Sequence, residues 1–183
     1  MSHIEGTSLS DRVWRNCDKA QQADIRNSLQ SLIRKLRAIP VPPSTRIGGI
    51  GGEIAPLVYR TYNVPPSFAT VSAMYQWLAD ELATFAHPTC ETLLLLRSAP
   101  TTSKLVFTHG DIATRNLIVR DGKLVGLVDW DTAGWYPDYF EATMSVLEER
   151  IRPGHVSKLV KEMVPIPDEA LVEMLVHFCR IAD

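Results

Sequence analysis

Apolar residues recur at helical spacing along most of this chain. The clearest stripe predicts a helix from about Lys19 to Ile39, which Pro40 ends because proline has no N–H group to continue the helix. A shorter helix is predicted just before it, with Ser10 as the N-cap. The apolar stripe consists of Ile25, Leu29, Leu32, Ile33 and Leu36. Further helices are predicted over Ser67 to Phe85, Pro88 to Leu96, Tyr139 to Arg150, His155 to Met163 and Asp168 to Ile181.

The pattern changes to short apolar runs in the middle of the chain. Leu105 to Phe107 predicts one strand, and Leu117 to Val119 and Leu124 to Val128 predict two more. An Asp121-Gly122 pair lies between the last two runs, and such a pair between apolar runs favours a β-hairpin. The predicted fold class is therefore α+β and mostly helical, with one small hairpin.

The segment from Pro40 to Pro66 has a different composition. It contains six prolines and four glycines, including the pairs Gly48-Gly49 and Gly51-Gly52, and is predicted to be a long irregular loop. Such a loop is either functional or a tolerated surface excursion. Neither glycine pair has a strand before it or a lysine after it, so neither is expected to be a phosphate-binding loop.

Composition and charge exclude several classes of function. The 183 residues are 45% hydrophobic and 22% charged, with a formal net charge of -2, so no basic excess favours nucleic acid as a partner. No secretory signal is expected, because residues 1–10 lack a basic start followed by an apolar stretch, and the longest aliphatic run, Leu93 to Leu96, is too short to cross a bilayer. A cytoplasmic protein without a membrane partner is expected. Cys17, Cys90 and Cys179 are too far apart to indicate a disulfide framework or a zinc site.

Three polar residues are expected to meet at one end of the hairpin. Asn116 begins its first strand and Asp129 ends its second, so antiparallel pairing brings them side by side, and Asp111 lies on the loop that enters the first strand. An amide oxygen and a carboxylate together suit Mg²⁺. A further carboxylate can orient a hydroxyl and accept its proton. This division of labour is typical of phosphoryl transfer.

The motif that contains these residues is His109-Gly110-Asp111, four residues, Asn116, and a hairpin that ends in Asp129. With its tail, Asp129 to Pro137, it resembles the catalytic core of the aminoglycoside phosphotransferase and choline kinase-like families, which are relatives of the protein kinases. The resemblance implies that Asp111 is the catalytic base and that His109 braces the catalytic loop. It also implies that Asn116 and Asp129 are the magnesium ligands that hold Mg²⁺ and ATP. For Asp131 and Glu141 it implies loop support and a structural ion pair.

The resemblance also extends to the N-terminus and covers only one lobe of the kinase-like fold. The run from Ile4 to Leu9, followed by Trp14, resembles the segment that enters the first helix of the large lobe. Residues 1–183 are therefore expected to form the C-terminal catalytic lobe, with the hairpin carrying the catalytic loop and the N-terminal nucleotide-binding lobe absent. The glycine pairs are expected near the acceptor site. An uncovered inter-lobe surface predicts self-association.

Two functions stay open at this point. The first is ATP- and Mg²⁺-dependent transfer of the γ-phosphate to a hydroxyl of a small molecule, with the chain alone expected to be incomplete or weakly active. The second is a non-catalytic kinase-like domain that binds a small molecule or a protein partner. A metal-dependent hydrolase using the same carboxylates has no motif of its own. Helical acidic residues such as Glu148 and Glu149 would either line an acidic acceptor pocket or be solvated.

Overall fold

The described residues of the chain form helices and two small antiparallel sheets. The computed structural model describes residues 4–50, 67–85, 103–151 and 154–164. The strands are β1 (Thr7–Ser8), β2 (Gly48–Gly49), β3 (Leu105–Thr108), β4 (Leu117–Arg120), β5 (Lys123–Leu127) and β6 (Gly134–Pro137). The helices are α1 (Asp11–Asn16), α2 (Lys19–Arg37), α3 (Val71–Phe85), α4 (Phe140–Ile151) and α5 (His155–Met163). The helices predicted at Pro88 to Leu96 and Asp168 to Ile181, and the pair Gly51-Gly52, lie outside the described residues.

The first two helices begin where local hydrogen bonds cap them. Ser10 accepts a hydrogen bond from the Val13 N–H, as its prediction as the N-cap requires. Asp18 accepts from the Gln21 N–H at 2.8 Å and Gln21 accepts from the Asp18 N–H at 3.0 Å, which is a reciprocal capping box. Helix α2 ends two residues before the predicted Ile39. Of its predicted stripe Ile25, Leu29 and Ile33 are buried, and Leu32 and Leu36 are half-buried.

The first sheet has the strand order β1-β4-β5. Strands β4 and β5 pair antiparallel around Asp121-Gly122, whose φ angles of +52° and +73° lie in the left-handed region that a two-residue hairpin loop requires. Strand β1 adds to the outer edge of β4, with Thr7 opposite Val119. The N-terminal segment therefore joins the hairpin directly before it enters α1.

The second sheet has the order β2-β6-β3, in which β3 confirms the strand predicted at Leu105 to Phe107 and β2 and β6 are strands that were not predicted. Strand β6 directly precedes the helix predicted from Tyr139, and β2 falls inside the segment predicted to be an irregular loop. Gly134 lies opposite Gly49. The two strands approach so closely that a Cβ atom on Gly134 would meet the Gly48 carbonyl oxygen and lie 2.6 Å from the Gly49 Cα. Glycine is a poor strand former, so this pairing leaves little trace in a single sequence.

The start of α3 also differs from the prediction. The helix begins at Val71 rather than Ser67, because the backbone of Phe68 forms a two-way bridge with Ile47. The Ile47 N–H donates to the Phe68 carbonyl at 2.8 Å, and the Phe68 N–H donates back at 2.9 Å. Val71 and Met74 on this helix are buried.

A single apolar cluster fixes the loop that follows β3. The cluster joins the buried faces of α2, the β4–β5 hairpin and α5, and it includes Ile112, which is only 2% exposed. Burying such a side chain stabilises the fold by about 1.5–3 kcal/mol. Because Ile112 directly follows Asp111, the core positions the loop that contains the candidate catalytic residues. None of the helices in the described ranges has the length and apolar character to span a membrane.

The close approach of β2 and β6 predicts a large difference between two glycine-to-alanine variants. Gly134→Ala places a methyl group against rigid backbone, and we expect the free energy of unfolding to fall by about 2–3 kcal/mol. Gly126→Ala is the matched control, because its Cβ would lie 2.9 Å from the Ile4 Cδ1, the end of an exposed side chain that can move. We expect that variant to stay within about 1 kcal/mol of wild type. Urea denaturation measures both, and equal losses would contradict the prediction.

Candidate active site

The polar end of the β4–β5 hairpin contains Asn116 and Asp129. The Val128 N–H donates to the Asn116 carbonyl at 3.0 Å, which continues the ladder one step beyond the pair Leu117–Leu127. Asn116 therefore lies opposite Val128 and next to Asp129, so the two predicted magnesium ligands come to the same end of the ribbon. Asn116 is 3% exposed, whereas Asp129 faces solvent. Asp129 has a φ of +66°, a backbone conformation that aspartate and asparagine tolerate better than most residues.

His109 is fully buried and links the loop to the far side of the hairpin. Its Nδ1 accepts from the Asp111 N–H at 3.2 Å, so the ring proton lies on Nε2, which donates to the Val128 carbonyl at 3.1 Å. Burial lowers the pKa of His109, against the opposing effects of Val128 and two nearby carboxylates. The neutral ring holds Asp111 and Val128 at a fixed separation. The Trp130 ring packs edge-on against it, with centroids 4.6 Å apart.

The Glu141 carboxylate holds the backbone of the same loop through hydrogen bonds. It lies in the first turn of α4, is 4% exposed, and accepts from the His109 N–H at 2.9 Å and the Gly110 N–H at 3.1 Å. Burial raises the pKa of Glu141 to about 7, although hydrogen bonds from the N–H groups of Gly110, His109 and Ile112 oppose this. Loop support was expected for Glu141 and Asp131 together with an ion pair. Within the described part of the chain the partners of Glu141 are backbone amides, and Asp131 is exposed.

The segment after Asp129 encloses the loop from a second side. Thr132 donates its hydroxyl proton to the His109 carbonyl at 2.8 Å. Gly110 has a φ of +81°, and a Cβ there would lie 3.0 Å from the Thr132 carbonyl oxygen. Both the left-handed backbone and the close approach therefore require glycine in the His-Gly-Asp motif.

Asp111 accepts hydrogen bonds from two side chains that were not predicted to be its partners. The Asn116 amide donates to Asp111 Oδ2 at 2.7 Å and to the Asp111 carbonyl at 2.8 Å. The guanidinium Nη2 of Arg115 lies 2.6 Å from Oδ1 and 2.7 Å from Oδ2. Its Nη1 lies 2.5 Å from Glu148 Oε1. Glu148, one of the residues considered for an acidic acceptor pocket, is paired with a cation.

The side-chain chemistry fits a hard cation next to a hydroxyl-activating group. Both protons of the Asn116 amide point to Asp111, which leaves the Asn116 Oδ1 able to coordinate a cation. Among the residues that the structure describes, no group of three or more His, Cys, Asp or Glu side chains is arranged for a metal. One amide and one carboxylate instead suit Mg²⁺, which keeps several waters and completes its shell with phosphate oxygens.

Comparisons with known proteins found a matching family model and similar proteins. The model of the phosphotransferase enzyme family (APH) matches residues 1–158. An aminoglycoside 3'-phosphotransferase of Niallia circulans is 42% identical over 53 residues, which is 29% of this chain and 20% of that protein. The solved streptomycin-ATP-APH(2")-IIa ternary complex is 12% identical with a TM-score of 0.49, covering 77% of this chain and 47% of that one. The chain thus spans about a fifth of the first relative and about half of the second.

Proposed function

Because this chain belongs to the phosphotransferase enzyme family of the aminoglycoside phosphotransferases, we propose that it transfers the γ-phosphate of ATP to a hydroxyl of a small molecule. The observation that supports this most is the convergence of Asp111, Asn116 and Asp129 at one end of the β4–β5 hairpin. We propose that residues 1–183 correspond to the C-terminal catalytic lobe of a kinase-like fold. The hairpin and the loop before it then carry the catalytic residues.

Each site residue has a separate proposed role. Asp111 accepts the proton of the acceptor hydroxyl as that oxygen attacks phosphorus. Asn116 and Asp129 would hold Mg²⁺, which when bound neutralises charge on the phosphate oxygens. His109 orients Asp111 through the Asp111 N–H and fixes the loop to Val128. This division assigns acceptor activation and metal binding to side chains that meet at one end of the β4–β5 hairpin.

The relatives indicate which class of acceptor to test first. One matched protein is named as an aminoglycoside 3'-phosphotransferase, and the matched structure contains streptomycin. An aminoglycoside is therefore the first acceptor to try. Choline and a simple sugar are the next, because a shared fold does not determine the substrate.

Calorimetry and a turnover assay test the proposed function on the chain itself. We expect ATP to bind only when Mg²⁺ is present, and at least one acceptor in the panel to become phosphorylated. Undetectable binding at millimolar ATP would contradict the proposal for this chain. Binding without turnover on any acceptor would instead support the alternative of a non-catalytic kinase-like domain.

Changing Asp129 to asparagine tests the proposed metal ligand. Asparagine also tolerates a φ of +66°, so the substitution removes the charge without straining the backbone. We expect the Mg²⁺ concentration needed for half-maximal ATP binding to rise about 10–100-fold, as for other losses of metal-site interactions. Asp121→Asn is the matched control, since Asp121 has a φ of +52° at the exposed hairpin turn. If both variants titrate like wild type, Asp129 is not a ligand.

A further inference from the structure

Arg115 joins the Asp111 carboxylate of the candidate active site to the Glu148 carboxylate of α4. We propose that Arg115 is a positioning residue that sets the orientation of the Asp111 carboxylate, and that Glu148 on α4 holds Arg115 in place. The inference rests on the proposed function, because it treats Asp111 as the group that receives the acceptor proton. The inference gives roles to two residues outside the metal site, Arg115 and Glu148. It also identifies the Asp111 oxygen to which the acceptor hydroxyl would donate.

The two oxygens of the Asp111 carboxylate have different numbers of hydrogen-bond donors. Arg115 Nη2 reaches Oδ1 at 2.6 Å and Oδ2 at 2.7 Å, and the Asn116 amide reaches Oδ2 at 2.7 Å. A carboxylate has about four acceptor positions. Oδ2 has two donors from the described residues, and Oδ1 has one. The acceptor hydroxyl would therefore donate to Oδ1, and rotation of the carboxylate away from this arrangement would break contacts to two side chains.

Helix α4 carries both glutamates that hold this arrangement in place. Glu141 and Glu148 are seven residues apart, which is close to two helical turns, so both lie on the same face of α4. Glu141 holds the backbone of His109 and Gly110. Glu148 holds the Arg115 guanidinium, which in turn holds the Asp111 side chain. One helix face thus positions both the backbone and the reactive carboxylate of the loop.

The exposure of the three side chains favours orientation over stability as the purpose of the network. The Arg115 side chain is 40% exposed, against 22% for Asp111 and 15% for Glu148. Ion pairs with this much solvent contact contribute little to folding. The guanidinium is a rigid planar fork, however, so its two nitrogens can hold two carboxylates at a set distance, which a lysine ammonium cannot do.

Steady-state kinetics with Mg²⁺–ATP and the panel acceptor that the wild-type protein phosphorylates test this role. We expect Arg115→Met to lower kcat about 10–100-fold with the KM for ATP nearly unchanged, because a misplaced base slows the chemical step. Arg115→Lys keeps the charge and should recover only part of the loss. Glu148→Gln should lower kcat in the wild-type background and have no added effect in Arg115→Met, because it acts through Arg115.

Arg120→Met is the matched control, since Arg120 forms an exposed pair with Glu5 at 3.1 Å on the same hairpin. We expect it to keep the wild-type kcat. An unchanged kcat in both Arg115 variants would overturn the inference, as would additive losses from Arg115 and Glu148. A rise confined to the KM for ATP would assign Arg115 to nucleotide binding and also overturn it. Absence of wild-type turnover is a different result, because it refutes the proposed function and the inference with it.

Discussion

Replacing Asp111 with asparagine is expected to lower phosphoryl transfer by about 10²–10⁴-fold, the usual contribution of a general base. Asparagine has nearly the same shape, and its amide oxygen can still accept from Arg115 or Asn116. It cannot take a proton from the acceptor hydroxyl. Because the proposed metal ligands are Asn116 and Asp129, the affinity for Mg²⁺–ATP should change by only a few-fold. Calorimetry for nucleotide binding and a turnover assay for kcat separate these two quantities.

Asp24→Asn is a suitable control for this experiment, because Asp24 lies on the exposed face of α2 and the chemical change is the same. It should retain full turnover. Wild-type turnover in Asp111→Asn would exclude Asp111 as the base. Loss of Mg²⁺–ATP binding in that variant, with Asp24→Asn unaffected, would instead make Asp111 a metal ligand.

Elements that depend on local chemistry were predictable from the sequence. Helix α2 has both an apolar stripe and a capping box, and both are local signals. The Asp121-Gly122 turn determines a hairpin because few other residue pairs adopt two consecutive left-handed conformations. Strands β2 and β6 were not predicted, because three glycines and a proline disfavour strands and the pairing depends on a partner far along the chain.

The same distinction between local signals and contacts with distant residues applies to the site. The sequence placed Asn116 and Asp129 together through the hairpin register, which the Val128–Asn116 hydrogen bond continues. The partner of Glu141 could not be predicted, because its contacts with the His109 and Gly110 backbone depend on how α4 packs beneath the loop. The sequence offered only a weak indication of a role for Arg115, namely that it is a cation directly before Asn116 in the motif. Its bridge to Glu148 requires the position of α4.

Removal of the Glu141 carboxylate is expected to have the largest effect on stability. Glu141→Ala would leave the N–H groups of His109, Gly110 and Ile112 without their buried acceptor and would also create a cavity. Each such unsatisfied group costs about 1–3 kcal/mol. Local relaxation would recover part of that, and we expect the free energy of unfolding to fall by about 3–5 kcal/mol. Urea denaturation measures the loss directly.

Glu149→Ala is the matched control on the same helix. Glu149 forms a partly exposed pair with Lys161 at 2.6 Å, and such pairs contribute about 0–1 kcal/mol. Similar losses in the two alanine variants would show that the buried contacts of Glu141 with the loop do not stabilise the fold. A large loss in Glu141→Ala alone would identify α4 as the support of the catalytic loop.

The variant Glu141→Gln keeps the shape of the side chain but removes its titrating proton. The pH dependence of the free energy of unfolding therefore distinguishes the effect of the proton from the effect of packing. Burial raises the pKa of Glu141 from 4.5 to about 7, so the folded chain holds this proton more tightly than the unfolded chain. The stability linked to this proton is complete below about pH 4.5 and is lost as the pH rises through about 7. His109 acts in the opposite direction, because burial lowers its pKa from 6.5 and stability is lost on acidification. Its contribution is common to wild type and variant and cancels in their difference.

The free energy of unfolding of wild type minus that of Glu141→Gln should therefore decrease as the pH rises from about 4.5 to 7, because glutamine has no proton to lose. Denaturation of both proteins at several pH values across this interval gives the difference. A difference that stays constant would mean that Glu141 has the same proton affinity in the folded and unfolded chain. A difference that increases with pH would mean that the three N–H donors outweigh burial, and that the loop is held by a fully ionised carboxylate.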